Sequence, residues 1–151
     1  QRIIDVGGVM IPESSTEKLL GLKLDNALKF EDQVNSIISP INHKFYLLRK
    51  VRPHLSLNQL KQIGSGLVSS KLEYCLGVYS NIYLDEQERC ENSNLMKRLQ
   101  KVQNDYMRVI TKTKIVNKVP ITQLLDKLDM LSINQLASKQ ILNVASLKLF
   151  V

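Results

Sequence analysis

The feature that most constrains this fold is the spacing of apolar side chains between Phe30 and Leu48. Phe30, Val34, Ile37, Ile41, Phe45 and Leu48 follow at intervals of four, three, four, four and three residues. That spacing gathers them into about one quarter of a helical wheel. A strand alternates in twos and cannot bring such a set to one face. The tract is therefore read as an amphipathic helix opened by Phe30 after a turn at Asp25-Asn26. Pro40 is expected to kink it or split it near Ser39, and Pro53 to stop it.

The residues before this helix follow strand rules. Gly7-Gly8 separates Ile3-Ile4-Asp5-Val6 from Val9-Met10-Ile11, a hairpin signal because both glycines accept positive φ. Pro12 to Thr16 reads as loop and Leu19 to Leu24 as a third strand. After the helix, Ser56 with Gln59 forms a capping box, and Leu57, Leu60, Leu67 and Val68 give the buried side of a helix through about Tyr74. Gly64 and Gly66 weaken that helix or permit close helix contact. Tyr83 to Asn94 is acidic and reads as a solvated connection or short helix start. Leu95, Leu99, Val102, Tyr106, Val109 and Ile110 form another apolar stripe. Pro120 suits the first turn of a short helix carrying Ile121, Leu124, Leu125 and Leu128. Ser132 starts a last helix whose Leu136, Leu142, Leu147 and Leu149 fall on several faces and want cover on more than one side. The expected class is mainly α (α+β): a small N-terminal antiparallel hairpin or three-strand piece over 1–26, then a bundle of about five helices over 27–151.

At 151 residues and 44% apolar content the chain can bury a core. Two cysteines, Cys75 and Cys90, are too few for a disulfide scaffold and lack metal-ligand spacing with His43 or His54. They read as one buried thiol and one loop thiol, in a reducing compartment. No stretch resembles a signal peptide or approaches the ~20 apolar residues of a membrane span. The expectation is an intracellular protein, cytoplasmic or nuclear and not secreted. With Gln1 in first place, the chain reads as a fragment or trimmed piece.

The formal charge of +7 favours a polyanionic partner, nucleic acid or less often a membrane face. Between Asp32 and Glu73 there is no acidic residue, while Lys44, Arg49, Lys50, Arg52, Lys61 and Lys71 lie inside. A second basic tract runs from Lys97 to Lys118, opposed only by Asp105. On a wheel Lys97, Lys101, Arg108 and, if the helix continues, Lys112 fall within about 60° of one another, opposite the apolar stripe. Such a row suits a sugar-phosphate backbone. It is also what an ordinary solvated helix face shows, and uniform sign over two tracts is what favours the sharper reading.

Catalytic groupings are missing from the sequence. Phosphoryl transfer by polymerases needs paired carboxylates for two metal ions. The adjacent acids Glu31-Asp32 and Asp85-Glu86 have no strand-turn context, and no Asp-Asp pair exists. His43 and His54 lack a nucleophile partner, and Gly7-Gly8 opens no phosphate-cradling helix. No catalytic residue and no metal ligand is assigned.

The order of these segments resembles the region where palm meets thumb in reverse transcriptases of non-LTR (LINE-type) retrotransposons. The likeness is carried by Lys18-Leu-Leu-Gly-Leu-Lys-Leu-Asp25 with the helix closing on Leu47-Leu-Arg-Lys-Val-Arg-Pro53, and by Leu67-Val-Ser-Ser-Lys-Leu-Glu-Tyr-Cys75 with Gly77-Val-Tyr79. Leu99-Gln-Lys-Val-Gln-Asn104 with Arg108-Val-Ile110 continues it, as does Pro120-Ile121 through Leu131-Ser-Ile133. The match covers roughly Lys18 to Phe150. The chain departs from it where the family has Trp at Tyr79 and Pro near Ser70. The resemblance implies that 1–26 ends the palm, with Leu20-Gly21 in a hairpin near the primer end. The helices would grip template-primer behind an active site that this chain lacks. It implies Mg2+ for the parent RNA-directed DNA polymerase and no cofactor here. The implied partners are an RNA–DNA hybrid or duplex, met at its backbone, and the missing palm and fingers. The residues expected on nucleic acid are Lys44, Arg49, Lys50, Arg52, Lys97, Lys101, Arg108 and Lys112. The competing reading is a helical protein-interaction module from a decayed retroelement, with self-association through the last helix.

Overall fold

The computed structural model describes the backbone of residues 3–80 and 86–147, and the side chains of these except at 86–93, 115 and 147. The described residues are mainly helical, with two N-terminal hairpins followed by five main helices, the mainly α class expected. β1 (Ile3–Val6) pairs with β2 (Val9–Pro12), and β3 (Thr16–Leu19) with β4 (Leu22–Asp25), all antiparallel. Gly7 and Gly8 turn the first hairpin at φ 60° and 85°, the handedness that strand twist prefers and most side chains resist. The second hairpin corrects the single strand expected over 19–24, and the expected loop ends one residue early, before Thr16. Leu20 and Gly21 take φ of 48° and 88° and reverse the chain, so Leu19 faces Leu22.

The hairpins differ in what they bury. Every residue of β1 and β2 is exposed. In β4, Leu22 is buried and Leu24 packs against the core. The Asp25 carboxylate then accepts N–H bonds from Ala27, Lys29 and Phe30 at 3.1, 2.9 and 2.7 Å. This closes the expected turn and delivers Phe30, left-handed at φ 57°, to the start of α1 (Glu31–Val51). Desolvation pushes the Asp25 carboxyl up, but the N–H bonds of Lys29, Phe30 and Ala27 outweigh it and hold its pKa below the ordinary value.

All six residues of the Phe30–Leu48 stripe are buried. α1 runs unbroken through Pro40, so the helix does not split. Ile37 and Ile41, buried on either side of Pro40, hold the two halves to one core, while Pro40 itself lies on the exposed side. The capping box at Ser56 opens α2 (Leu57–Gly64) as read. A π-helical turn at Ser65–Ser69 leads into α3 (Ser70–Glu73), followed by α4 (Leu76–Tyr79). Gly64 is the close-contact glycine, because a Cβ there would overlap the ring of Tyr106.

α5 (Glu86–Thr111), α6 (Ile121–Leu128) and α7 (Ile133–Leu147) complete the body. The Leu95–Ile110 stripe is buried at all six expected positions. Glutamines tie the helices together: Gln103 Nε2 donates to the Leu131 carbonyl at 2.8 Å, and Gln100 Oε1 accepts from Ile133 N at 2.9 Å. Gln140 bridges Gly77 N and the Glu73 carbonyl at 2.9 and 2.7 Å. Of the two thiols, Cys75 is half-buried, and Cys90 belongs to α5 rather than to a loop. Residues 86–94 form the beginning of α5, the helix start offered for the acidic segment, whereas its residues 83–85 lie outside the described residues. No described helix is long and apolar enough to cross a membrane.

Candidate nucleic-acid interface

A groove of about 450 Å³ runs between the β3–β4 turn, α1 and α3, lined by Lys18, Gly21, Gln33, Ser36, Ile37, Pro40, Lys44, Ser70, Lys71 and Tyr74. The helical period puts Ile37, Pro40 and Lys44 on one side of α1, and β3 and α3 bring Lys18 and Lys71 against it. Three ammonium groups therefore share a concavity whose lining holds no carboxylate. Tyr74 closes one end: its hydroxyl donates to the Leu20 carbonyl, and its ring lies under Gly21, where an added Cβ would sit 3.4 Å from the Oη. Gln33 is 3% exposed. Its Oε1 accepts from Lys23 N at 2.9 Å, which ties β4 to α1. The groove thus offers cations beside Leu20 and Gly21, the pair expected at the primer end. Lys18, Lys71 and Gln33 are not among the residues expected on nucleic acid, because Gln33 sits one residue off the apolar stripe and the two lysines lie on separate elements.

The eight cations expected on nucleic acid do not form one surface. Lys97 and Lys101 are exposed and one turn apart on α5, as expected. Arg108 departs from this ridge. The connection after α5 folds back, and the Arg108 Nη2 reaches the Val119 carbonyl at 3.5 Å. Its Nη1 is buried with no hydrogen-bond acceptor among the described residues. Lys112 is exposed but lies past the end of α5, at φ 59°, so it leaves the helical row too. Lys44 is half-buried and donates from Nζ to the Leu67 carbonyl at 2.8 Å, which spends one of its three protons on the π-helical turn. Arg49 and Lys50 are exposed in the last turn of α1, where cations also complement the helix dipole. Arg52 is half-buried in the short 3-10 turn that follows.

Arg98, beside the ridge, bonds Glu31 at 3.1 Å and the side chain of Asn35, and so clamps α5 to α1. That pair removes Glu31 as a free carboxylate. With Asp32 it opens α1, and Asp85 lies outside the described residues. His43 and His54 are both exposed. No protein-family model, curated protein or solved structure matches this chain.

Proposed function

We propose that this chain is the thumb and following region of a non-LTR retrotransposon reverse transcriptase. In this reading it binds the backbone of template-primer duplex or hybrid without sequence preference and performs no chemistry itself. The observation that carries it is the lysine-lined groove beside Leu20-Gly21, together with the Lys97–Lys101 ridge. An A-like hybrid is held mainly by shape and phosphate contacts, which suits cations on a scaffold with few aromatics. The parent would supply the paired carboxylates and Mg2+, with palm and fingers as the partners of this piece, in an intracellular setting.

Titrating a short RNA–DNA hybrid into the protein at several salt concentrations tests this. The log–log slope should have a magnitude of roughly 3 to 6, since each neutralised phosphate contributes about 0.9. A flat salt response, or no binding at low salt, sinks the proposal.

The second reading, a protein-interaction module, draws on α7, where Leu142 and Val144 remain 65% and 58% exposed. Leu147 and Leu149 lie outside the described side chains. A mass that rises with concentration in size-exclusion light scattering would favour it, and a concentration-independent monomer would oppose self-association.

A further inference from the structure

The α1 helix has a second ordered face, opposite its core stripe. With Ile41 at the centre of the buried side, a rotation of 100° per residue puts Tyr46, Lys50 and His43 within about 40° of the opposite pole. Tyr46 is 58% exposed and Leu47 beside it 54%. The Lys50 Nζ sits 5.1 Å from the centroid of the Tyr46 ring, over one of its faces. Arg49 and His43 flank this pair, both exposed, and no carboxylate occurs from Gln33 through Leu72. The face therefore combines an exposed aromatic ring with cations at the end of α1, and its one carboxylate by the same rotation, Asp32, lies about four turns away at the start of the helix.

We infer that this face of α1 stacks an unpaired nucleobase on Tyr46 while Lys50, Arg49 and His43 meet the phosphates beside it. The inference rests on the nucleic-acid reading above and adds a strand form to it: a single-stranded stretch next to the gripped duplex. Charge complementarity selects a polyanion, and the ring selects one with open π-faces. Bases inside a duplex hide those faces against each other, whereas unpaired bases present them. The geometry is convex, which fits an unstacked strand laid along a helix better than a duplex seated in a concavity. Lys50 over one face holds the tyrosine in place and leaves the ring's other side for the base.

The test uses the full chain and a single-stranded oligonucleotide carrying 2-aminopurine, alongside the same sequence annealed as a duplex. Binding of the wild type should quench 2-aminopurine in the single strand, because stacking on tyrosine alters its fluorescence. Tyr46→Ala should abolish the quench and weaken the single strand by about 5- to 150-fold, the usual cost of one lost stacking platform. Duplex affinity should change less than about twofold, and Tyr46→Phe should keep the quench. Equal losses on both oligonucleotides, or no loss on either, overturn the inference while leaving the duplex-binding proposal standing. Should the wild type bind neither oligonucleotide, both readings fall. Tyr46-dependent binding to anionic phosphatidylserine vesicles, with oligonucleotide binding untouched by the substitution, overturns it in favour of a membrane surface.

Discussion

Single residues decide how the chain enters and locks its helices. Asp25 is the clearest case, since one carboxylate gathers three N–H groups at the join of β4 and α1. Those N–H groups hold its carboxyl below the ordinary aspartate value in the folded chain. The stabilisation is therefore full above the unfolded value and lost as pH falls through the folded one. Asp25→Ala should cost about 1 kcal/mol at neutral pH, a typical helix-entry cap. For a chain of this size that is roughly 2–4 °C in Tm. The Tm gap between wild type and Asp25→Asn should narrow below about pH 4, and a gap that widens there would contradict the assignment. Gly64 gives a test with opposite signs. Helix propensity alone says Gly64→Ala stabilises by nearly 1 kcal/mol. Overlap with Tyr106 says it destabilises, by about 1–3 kcal/mol for overpacking, and urea unfolding decides. Asp25 was legible as a turn from sequence, whereas the clash at Gly64 needs Tyr106, distant in sequence, brought next to it.

At the scale of elements, helices were easier to read than their surfaces. The stripes of α1 and α5 appear in the sequence because burial selects apolar residues at a helical period, and every named member is buried. The cationic row on α5 was half right for the same reason. A wheel fixes the direction in which Arg108 leaves the helix, but not that the connection through Val119 folds over it. The β3–β4 turn was not legible in the apolar pattern, where Leu19, Leu20 and Leu22 read as one run; only the resemblance implied a hairpin at Leu20-Gly21, where positive φ and the 87% exposure of Leu20 mark the reversal. These differences set the expected binding phenotypes. Lys97→Gln with Lys101→Gln, or Lys18→Gln with Lys71→Gln, should each reduce the salt slope for a hybrid by roughly 1 to 2. Arg108→Gln should leave the slope unchanged, since that guanidinium is turned inward. A slope that drops with Arg108→Gln and not with the lysine pairs would reverse the placement of the interface.

For the whole molecule, the body is held by α1, α2 and α5, with α6 docked through Leu124 and Leu128, α7 pinned by glutamine side chains, and the first hairpin standing apart. Ile4 faces Ile11 and Val6 faces Val9 across β1–β2, yet all four are exposed. A two-stranded hairpin without cover is marginal in water. Removing residues 1–12 should accordingly shift Tm by less than about 2 °C, because little buried area goes with them. A large drop in thermal scans would mean that the hairpin contributes to the core after all. What the sequence determined by itself was local: which stretches are helical, where caps and glycine turns fall, and which side of each helix is oily. Those properties depend on neighbours within a turn or two, and period and capping chemistry record them directly. Tertiary structure alone decided which cations share a surface. Lys18, Lys44 and Lys71 meet in one groove only because β3, α1 and α3 pack together, and the spacing of charges along a chain carries no record of that meeting.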